Sequence, residues 1–137
     1  MNRWTFNKIV NSLPGLTELG FVYFSNPRYK ELRSGFLNKA KFLQQTNDAL
    51  EFFSGLSKAE IMTSWHKDNC TPNKLRRMVE WSAQSEISLG AIVVAAVHCG
   101  FKMQRYGSEP FFNIFQRQLE GEMEQYHFRM SVKKAVG

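Results

Sequence analysis

The sequence predicts an α+β domain that is mostly α-helical, with five to seven helices, a small β-hairpin and a third short strand. Three observations carry this prediction. Apolar residues recur at helical spacing along most of the chain. The run LGAIVVAAVHC, residues 89–99, is apolar all round and predicts a buried central helix. Two β-forming runs then follow, with turn residues between them. At 137 residues the chain is near the commonest domain size, so we expect one compact domain over 1–137.

The first 55 residues predict a helix, a short strand and two more helices. Residues 6–13 carry apolar side chains on one helical face, and Pro14 with Gly15 ends that helix. The run FVYF, residues 21–24, predicts the third strand. A long helix should begin at Pro27 and break at Thr46-Asn47-Asp48, where a short helix ending at Gly55 takes over.

The remaining elements carry clear start and stop signals. A capping box at 57–60 should open a helix that runs to about Lys67. Thr71 followed by Pro72 opens the next helix. Gly100 is placed to end the central helix in the left-handed conformation. The hairpin then uses 101–106 and 111–116 with a four-residue turn, and a charged C-terminal helix or tail follows from about 117.

Composition narrows the possible partners and the cellular location. The net charge is +6 and the pI is about 9.5, which favours contact with nucleic acid or another polyanion. No apolar run reaches 18 residues, so we expect no membrane partner. The N-terminus lacks a continuous apolar stretch and does not resemble a signal peptide. Two distant cysteines are too few for a disulfide framework, which favours reduced thiols in a cytoplasmic protein.

The order of elements is similar to that of winged-helix DNA-binding domains: a helix, a strand, further helices and a hairpin. In this interpretation the helix after Thr71 reads the major groove and the hairpin is the wing. The predicted contacts are Asn73, Lys74, Arg76, Arg77, Lys102 and Arg105. The apolar helix directly before the hairpin is a poor DNA reader, however. The alternative is a hairpin that only closes the core through Phe101, Met103, Phe111 and Phe115.

A second basic run lies at 27–41, in PRYKELRSGFLNKAK. Its cations are Arg28, Lys30, Arg33, Lys39 and Lys41, and its one carboxylate is Glu31. A stripe of this kind can contact phosphates without reading sequence. A solvated helix face explains it equally well.

The residues that could support metal or thiol chemistry do not form a recognisable motif. His66, Asp68 and Cys70 lie close together, and His98 and Cys99 follow later. Zinc sites usually show paired ligands at tight spacing, which is absent here. We therefore expect His98 at the edge of the core and Cys70 in a turn, with no metal or cofactor site. No familiar catalytic or phosphate-cradling motif is present either.

Three hypotheses for function remain. The first is a small nucleic-acid-binding regulator or accessory protein, most simply a DNA-binding one, of the kind found in mobile elements. The second is a non-enzymatic inhibitor or adaptor that docks on a larger protein complex. Aromatic side chains would anchor such an interface, and the candidates are Trp4, Trp81, Tyr23 and Tyr106. The third is a subunit that self-associates through the apolar helix.

Overall fold

The computed structural model describes residues 1–136, which form seven helices and two small antiparallel sheets. The helices are α1 (Arg3–Asn11), α2 (Tyr29–Asn38), α3 (Ala40–Ser54), α4 (Ser64–Asn69), α5 (Pro72–Ala83), α6 (Leu89–His98) and α7 (Gln116–Val136). The strands are β1 (Leu16–Thr17), β2 (Gly20–Phe21), β3 (Met103–Tyr106) and β4 (Glu109–Phe112). β1 pairs with β2, and β3 pairs with β4. The predicted α+β, mostly helical class is confirmed.

The predicted central helix is α6, and it is buried from Gly90 to Ala96. Gly90 is required there, because a Cβ atom would collide with the Thr17 carbonyl oxygen and come within 2.8 Å of the Phe36 ring. Gly100 ends the helix at φ +90°, and the Phe101 N–H returns to the Ala96 carbonyl as in a Schellman motif. Because its own chain covers α6, the helix offers no free surface for self-association.

The short strand differs from the prediction. Only Gly20 and Phe21 are strand, and they pair with Leu16–Thr17 in a tight hairpin rather than extending through 24. Glycines at both ends of this hairpin adopt positive φ, +88° at Gly15 and +91° at Gly20, which lets the chain reverse within a few residues. The side chains of Tyr23 and Phe24 are therefore left in solvent.

The predicted break at residues 46–48 is also wrong. The helix breaks at Lys39, whose ψ of 126° is extended, and α3 then runs unbroken through 46–48. Polar side chains that usually mark turns are satisfied inside this helix. Thr46 Oγ1 donates to the Phe42 carbonyl at 2.8 Å, and Asp48 accepts from Gln44 at 2.9 Å.

Residues 57–60 do not open a helix, which corrects the capping-box prediction. Their backbone lies beside the end of the hairpin instead, with a β-bridge between Lys58 and Ile114. The Ala59 N–H donates to the Asn113 carbonyl at 2.7 Å. The helix begins later, at Ser64, where the Thr63 N–H donates to His66 Nδ1 at 3.3 Å. A long-range pairing of this kind leaves no local pattern in the sequence.

The hairpin forms, but its turn is shorter than expected. Tyr106 pairs with Glu109, so the loop is the two residues Gly107-Ser108, with Gly107 at φ +65°. Phe101 and Phe111 are buried and Met103 is half-buried, as predicted for the core face. Phe115 is exposed, contrary to the prediction, because the chain past β4 bends to meet Lys58 and buries Ile114 instead.

The hairpin and the short strands belong to separate sheets, and α6 directly precedes the hairpin. A winged-helix arrangement would therefore have to use α5 as the reading helix. α7 begins at Gln116, one residue before the predicted start, and is helical to Val136. No helix in the described part of the chain is long and apolar enough to cross a membrane.

Candidate nucleic-acid interface

The positive charge of this chain is concentrated in its first 47 residues, which we call the N-terminal basic module. The module contains seven Lys or Arg and two Glu. The remaining residues contain eleven Lys or Arg and ten Asp or Glu, so they are nearly neutral. The module comprises α1, the β1–β2 hairpin, α2 and the first half of α3. Almost the whole excess of six positive charges therefore belongs to one part of the fold.

A buried aromatic contact and a hydrogen bond join α1 and α2 in this module. The Phe6 and Phe36 rings lie 5.3 Å apart between the two helices, and both side chains are fully buried. Arg3 Nη1 donates to the Leu37 carbonyl at 2.8 Å, which ties the start of α1 to the end of α2. The two helices that carry exposed cations are therefore joined in the core.

Arg33 has a structural role, which differs from its predicted phosphate contact. Its Nη2 donates to the Val10 carbonyl at 2.9 Å, and its Nη1 donates to the carbonyls of Leu13 and Leu16 at 3.0 and 2.9 Å. These oxygens lie at and beyond the C-terminal end of α1, where a cation is favoured by the helix dipole. With three hydrogen bonds made, the guanidinium is occupied inside the fold.

The other cations of the module are exposed and could contact a ligand. They are Lys8, Arg28, Lys30, Lys39 and Lys41. Among residues 1–136 the ion pairs are Arg28–Glu31, at 4.0 Å on the surface, and Arg76–Glu80. Lys8 Nζ lies 5.0 Å from the centre of the Trp4 ring, which is 69% exposed. Apart from Arg28, the exposed cations of the module have no carboxylate partner among residues 1–136.

Three polar side chains of α5, those of Asn73, Arg76 and Glu80, are hydrogen-bonded in one network. Asn73 Oδ1 accepts from Arg76 Nε at 3.2 Å and from Nη2 at 2.8 Å. Arg76 Nη1 also donates to Glu80 at 2.8 Å. The second oxygen of Glu80 accepts the Ile87 N–H at 2.9 Å. This network fixes the loop before α6, and it occupies Asn73 and Arg76.

The remaining predicted contacts of the reading helix and the wing differ in their exposure and in their contacts. Lys74 is half-buried, whereas Arg77 and Lys102 are exposed. The Arg105 guanidinium lies 3.9 Å from the centre of the Phe21 ring, so it joins the hairpin to β2. Glu109 lies opposite Tyr106 at the tip of the hairpin and would repel phosphate.

The predicted aromatic anchors fall into two groups. Trp4 and Tyr23 are 69% and 66% exposed. Trp81 instead packs against Tyr126, with ring centres 6.3 Å apart, and thereby docks α7. Tyr106 contacts Lys67, whose Nζ lies 4.5 Å from the ring centre, and Phe111, and it stays 38% exposed.

Sequence reasoning missed the exposed aromatic residues Phe24 and Phe128. Because residues 21–24 were assigned to a strand, the exposure of Phe24 was not predicted. Proline three residues later was the available signal that the strand ends early.

The residues considered for metal or thiol chemistry have structural surroundings. His66 is buried, and its Nε2 lies 2.7 Å from the Ile114 carbonyl oxygen. A carbonyl only accepts, so Nε2 carries the hydrogen, and Nδ1 accepts from the Thr63 N–H. Both nitrogens are therefore engaged. Asp68 is exposed, and His98 is exposed too rather than at the core edge.

Neither thiol is activated. Burial raises the pKa of Cys70 to about 11, and nearby Lys74 offsets only part of that effect. Burial also raises the pKa of Cys99, with Lys58 acting in the opposite direction. Nucleophilic cysteines have lowered pKa values. Among residues 1–136, no three metal-ligating side chains lie close enough together to hold an ion.

No family model matches this chain, and neither the curated proteins nor the solved structures include a significant match to it.

Proposed function

We propose that this protein binds nucleic acid through the N-terminal basic module, mainly by contacts to phosphates. The observation that carries the proposal is the charge asymmetry: seven cations against two carboxylates in the first 47 residues, and near neutrality elsewhere. Since Arg3 and Arg33 are occupied in the fold, the contacts fall to the five exposed cations, Lys8, Arg28, Lys30, Lys39 and Lys41. Affinity of this kind is independent of sequence and falls steeply with salt.

Trp4 supports a preference for single strands. Its exposed ring lies one helical turn from Lys8, so a base could stack on the indole while a phosphate meets the ammonium group. Stacking of one base on an aromatic side chain contributes about 1–3 kcal/mol. A paired base in a duplex cannot make this contact. Replacing Trp4 by Ala should therefore weaken binding to a single strand more than binding to a duplex.

Two triple variants with equal loss of charge locate the interface. The first is Lys30→Ala, Lys39→Ala and Lys41→Ala, within the basic module. The second is Lys74→Ala, Arg77→Ala and Lys102→Ala, on the α5 and hairpin surface. Fluorescence anisotropy with labelled single strands and duplexes measures the affinity of each at several salt concentrations. Circular dichroism establishes that both variants are folded.

The first variant should lose most of its affinity at low salt. Each lost phosphate contact reduces the slope of log K against log salt by about 0.7 to 0.9, so three contacts reduce it by about 2 to 3. The second variant should bind like the wild type. If instead the second variant lost affinity and the first did not, the interface would lie on α5 and the hairpin. No binding by the wild type at low salt would end the proposal.

One observation favours a second candidate, a protein partner. Tyr23 and Phe24 are exposed side by side, and with Pro14 and Arg105 they line an open cleft of about 120 Å³. Tyrosine and arginine are frequent anchors of protein interfaces. An affinity purification from the source cells with the wild type and with Tyr23→Ala/Phe24→Ala tests it. A stoichiometric protein that is recovered only with the wild type would support this candidate, and equal recovery would reject it.

A further inference from the structure

We propose that a second copy of this chain docks on the solvent face of α7, with the two α7 helices antiparallel. α7 has an inner apolar stripe that packs on its own domain. The members of this stripe are Leu119, Met123, Tyr126 and Met130, at spacings of four, three and four. Leu119 is buried and Tyr126 packs on Trp81, which fixes how the helix is oriented.

A second stripe runs along the opposite side of the same helix. Its members are Gly121, Gln125, Phe128, Val132 and Ala135, at spacings of four, three, four and three. At about 100° per residue this stripe lies roughly 180° from the inner one. The alternation of four and three is the spacing of a coiled-coil seam.

The outer stripe is uncovered. Phe128 is 70% exposed and Val132 is 46% exposed. A Cβ atom at Gly121 would meet nothing within 4 Å, so another helix can approach closely there. A phenylalanine and a valine one turn apart on an open helix face form an apolar contact that only a partner can bury.

The charges of α7 select a second copy as that partner. The first half of the helix carries Arg117, Glu120, Glu122 and Glu124, a net charge of −2, and the second half carries Arg129, Lys133 and Lys134, a net charge of +3. Antiparallel pairing places the acidic half of each helix beside the basic half of the other. Parallel pairing would place like charges together, which is destabilising. An anionic membrane would attract the basic half and repel the acidic half.

The outer stripe also sets the register. When Phe128 lies beside the partner's Gln125, Val132 lies beside the partner's Gly121. In this register the larger apolar side chains meet smaller or flexible ones.

Sedimentation equilibrium of the full chain tests the association. Over a rising concentration series the wild type should approach twice the 15.9 kDa of one chain. Phe128→Asp should raise the dimer dissociation constant at least tenfold. Ile61→Asp is the matched control, because Ile61 is equally exposed but lies far from α7 in sequence, and it should dimerise like the wild type. A wild type that stays monomeric, or equal effects of both substitutions, would overturn the proposal.

Cysteine pairing tests the orientation. Gly121→Cys and Val132→Cys are prepared separately and oxidised either alone or mixed, in a background with Cys99→Ser. Antiparallel helices predict a disulfide-linked dimer in the mixture and little with either variant alone. Parallel helices predict linked dimers with each variant alone, which would overturn the antiparallel arrangement. Cys70 does not interfere, since it is buried and burial raises its pKa to about 11.

Discussion

Replacing Arg33 by Met distinguishes a structural cation from a ligand-binding one. Methionine keeps much of the apolar stem and removes the three hydrogen bonds to the carbonyls of Val10, Leu13 and Leu16. Hydrogen bonds to charged groups contribute about 1.5–3 kcal/mol each. The site is only partly buried, so water can solvate part of what is exposed. Three bonds at the low end of that range would total about 4.5 kcal/mol, and with solvation of the exposed groups we expect a smaller total loss of about 3 kcal/mol.

Urea denaturation followed by circular dichroism measures this loss. The midpoint should fall with the slope unchanged, since the same surface is exposed on unfolding. Arg33→Lys keeps the charge but cannot reach all three carbonyls, so it should lose about half as much. Lys30→Met is the control on the same helix and should stay within about 0.5 kcal/mol of the wild type. If Arg33→Met weakens nucleic-acid binding but not stability, the structural role of Arg33 is wrong.

Three further predictions concern the core. Gly90→Ala should destabilise the fold by about 3 kcal/mol, because the added methyl group overlaps Thr17 and Phe36. Gly35→Ala makes only ordinary contacts and should stabilise the fold by up to about 1 kcal/mol. Thermal unfolding measures both effects. His66→Leu should lower the free energy of unfolding by about 1–3 kcal/mol, because it leaves the buried Ile114 carbonyl without a hydrogen-bond donor. A urea midpoint equal to that of the wild type would contradict the hydrogen bond from His66 Nε2 to Ile114. Because burial raises the pKa of Cys70 from 9.0 to about 11, the unfolded thiol loses its proton first, so stability should fall by about 2–3 kcal/mol as the pH rises from 9 to 11. This Cys70 contribution should be missing from the same titration of Cys70→Ala.

Local signals in the sequence were sufficient to predict several secondary-structure elements. Thr71 followed by Pro72 opens α5, where the Thr71 side chain accepts the Lys74 N–H as an N-cap should. The apolar run became the buried α6, and Gly100 ended it in the left-handed conformation. Each of these features depends on residues within a few positions of one another, so the local pattern carries the information.

Elements that depend on distant partners could not be predicted in this way. The segment 57–60 carries a valid capping-box pattern, but its backbone pairs with residues 113–115 instead. Arg33 looked like a surface cation, because nothing near it in sequence shows that the carbonyls at the end of α1 lie within its reach. The contacts of Arg76 with Asn73 and Glu80 instead follow the three- and four-residue spacing of one helix face, so the sequence pattern could have indicated them.

The proposal of nucleic-acid binding starts from the net charge of +6, which the sequence shows directly. The location of the proposed interface does not follow from the net charge alone. The sequence suggested two basic surfaces, and in the structure Asn73 and Arg76 of one of them are hydrogen-bonded within α5. The N-terminal basic module keeps five exposed cations beside an exposed tryptophan.

The salt dependence of single-strand binding by the wild type and the two triple variants is the most direct test. We predict a steep salt dependence for the wild type, an unchanged one for Lys74→Ala/Arg77→Ala/Lys102→Ala, and a slope smaller by about 2 to 3 for Lys30→Ala/Lys39→Ala/Lys41→Ala. Equal slopes for the wild type and the Lys30, Lys39 and Lys41 variant would contradict the proposed interface.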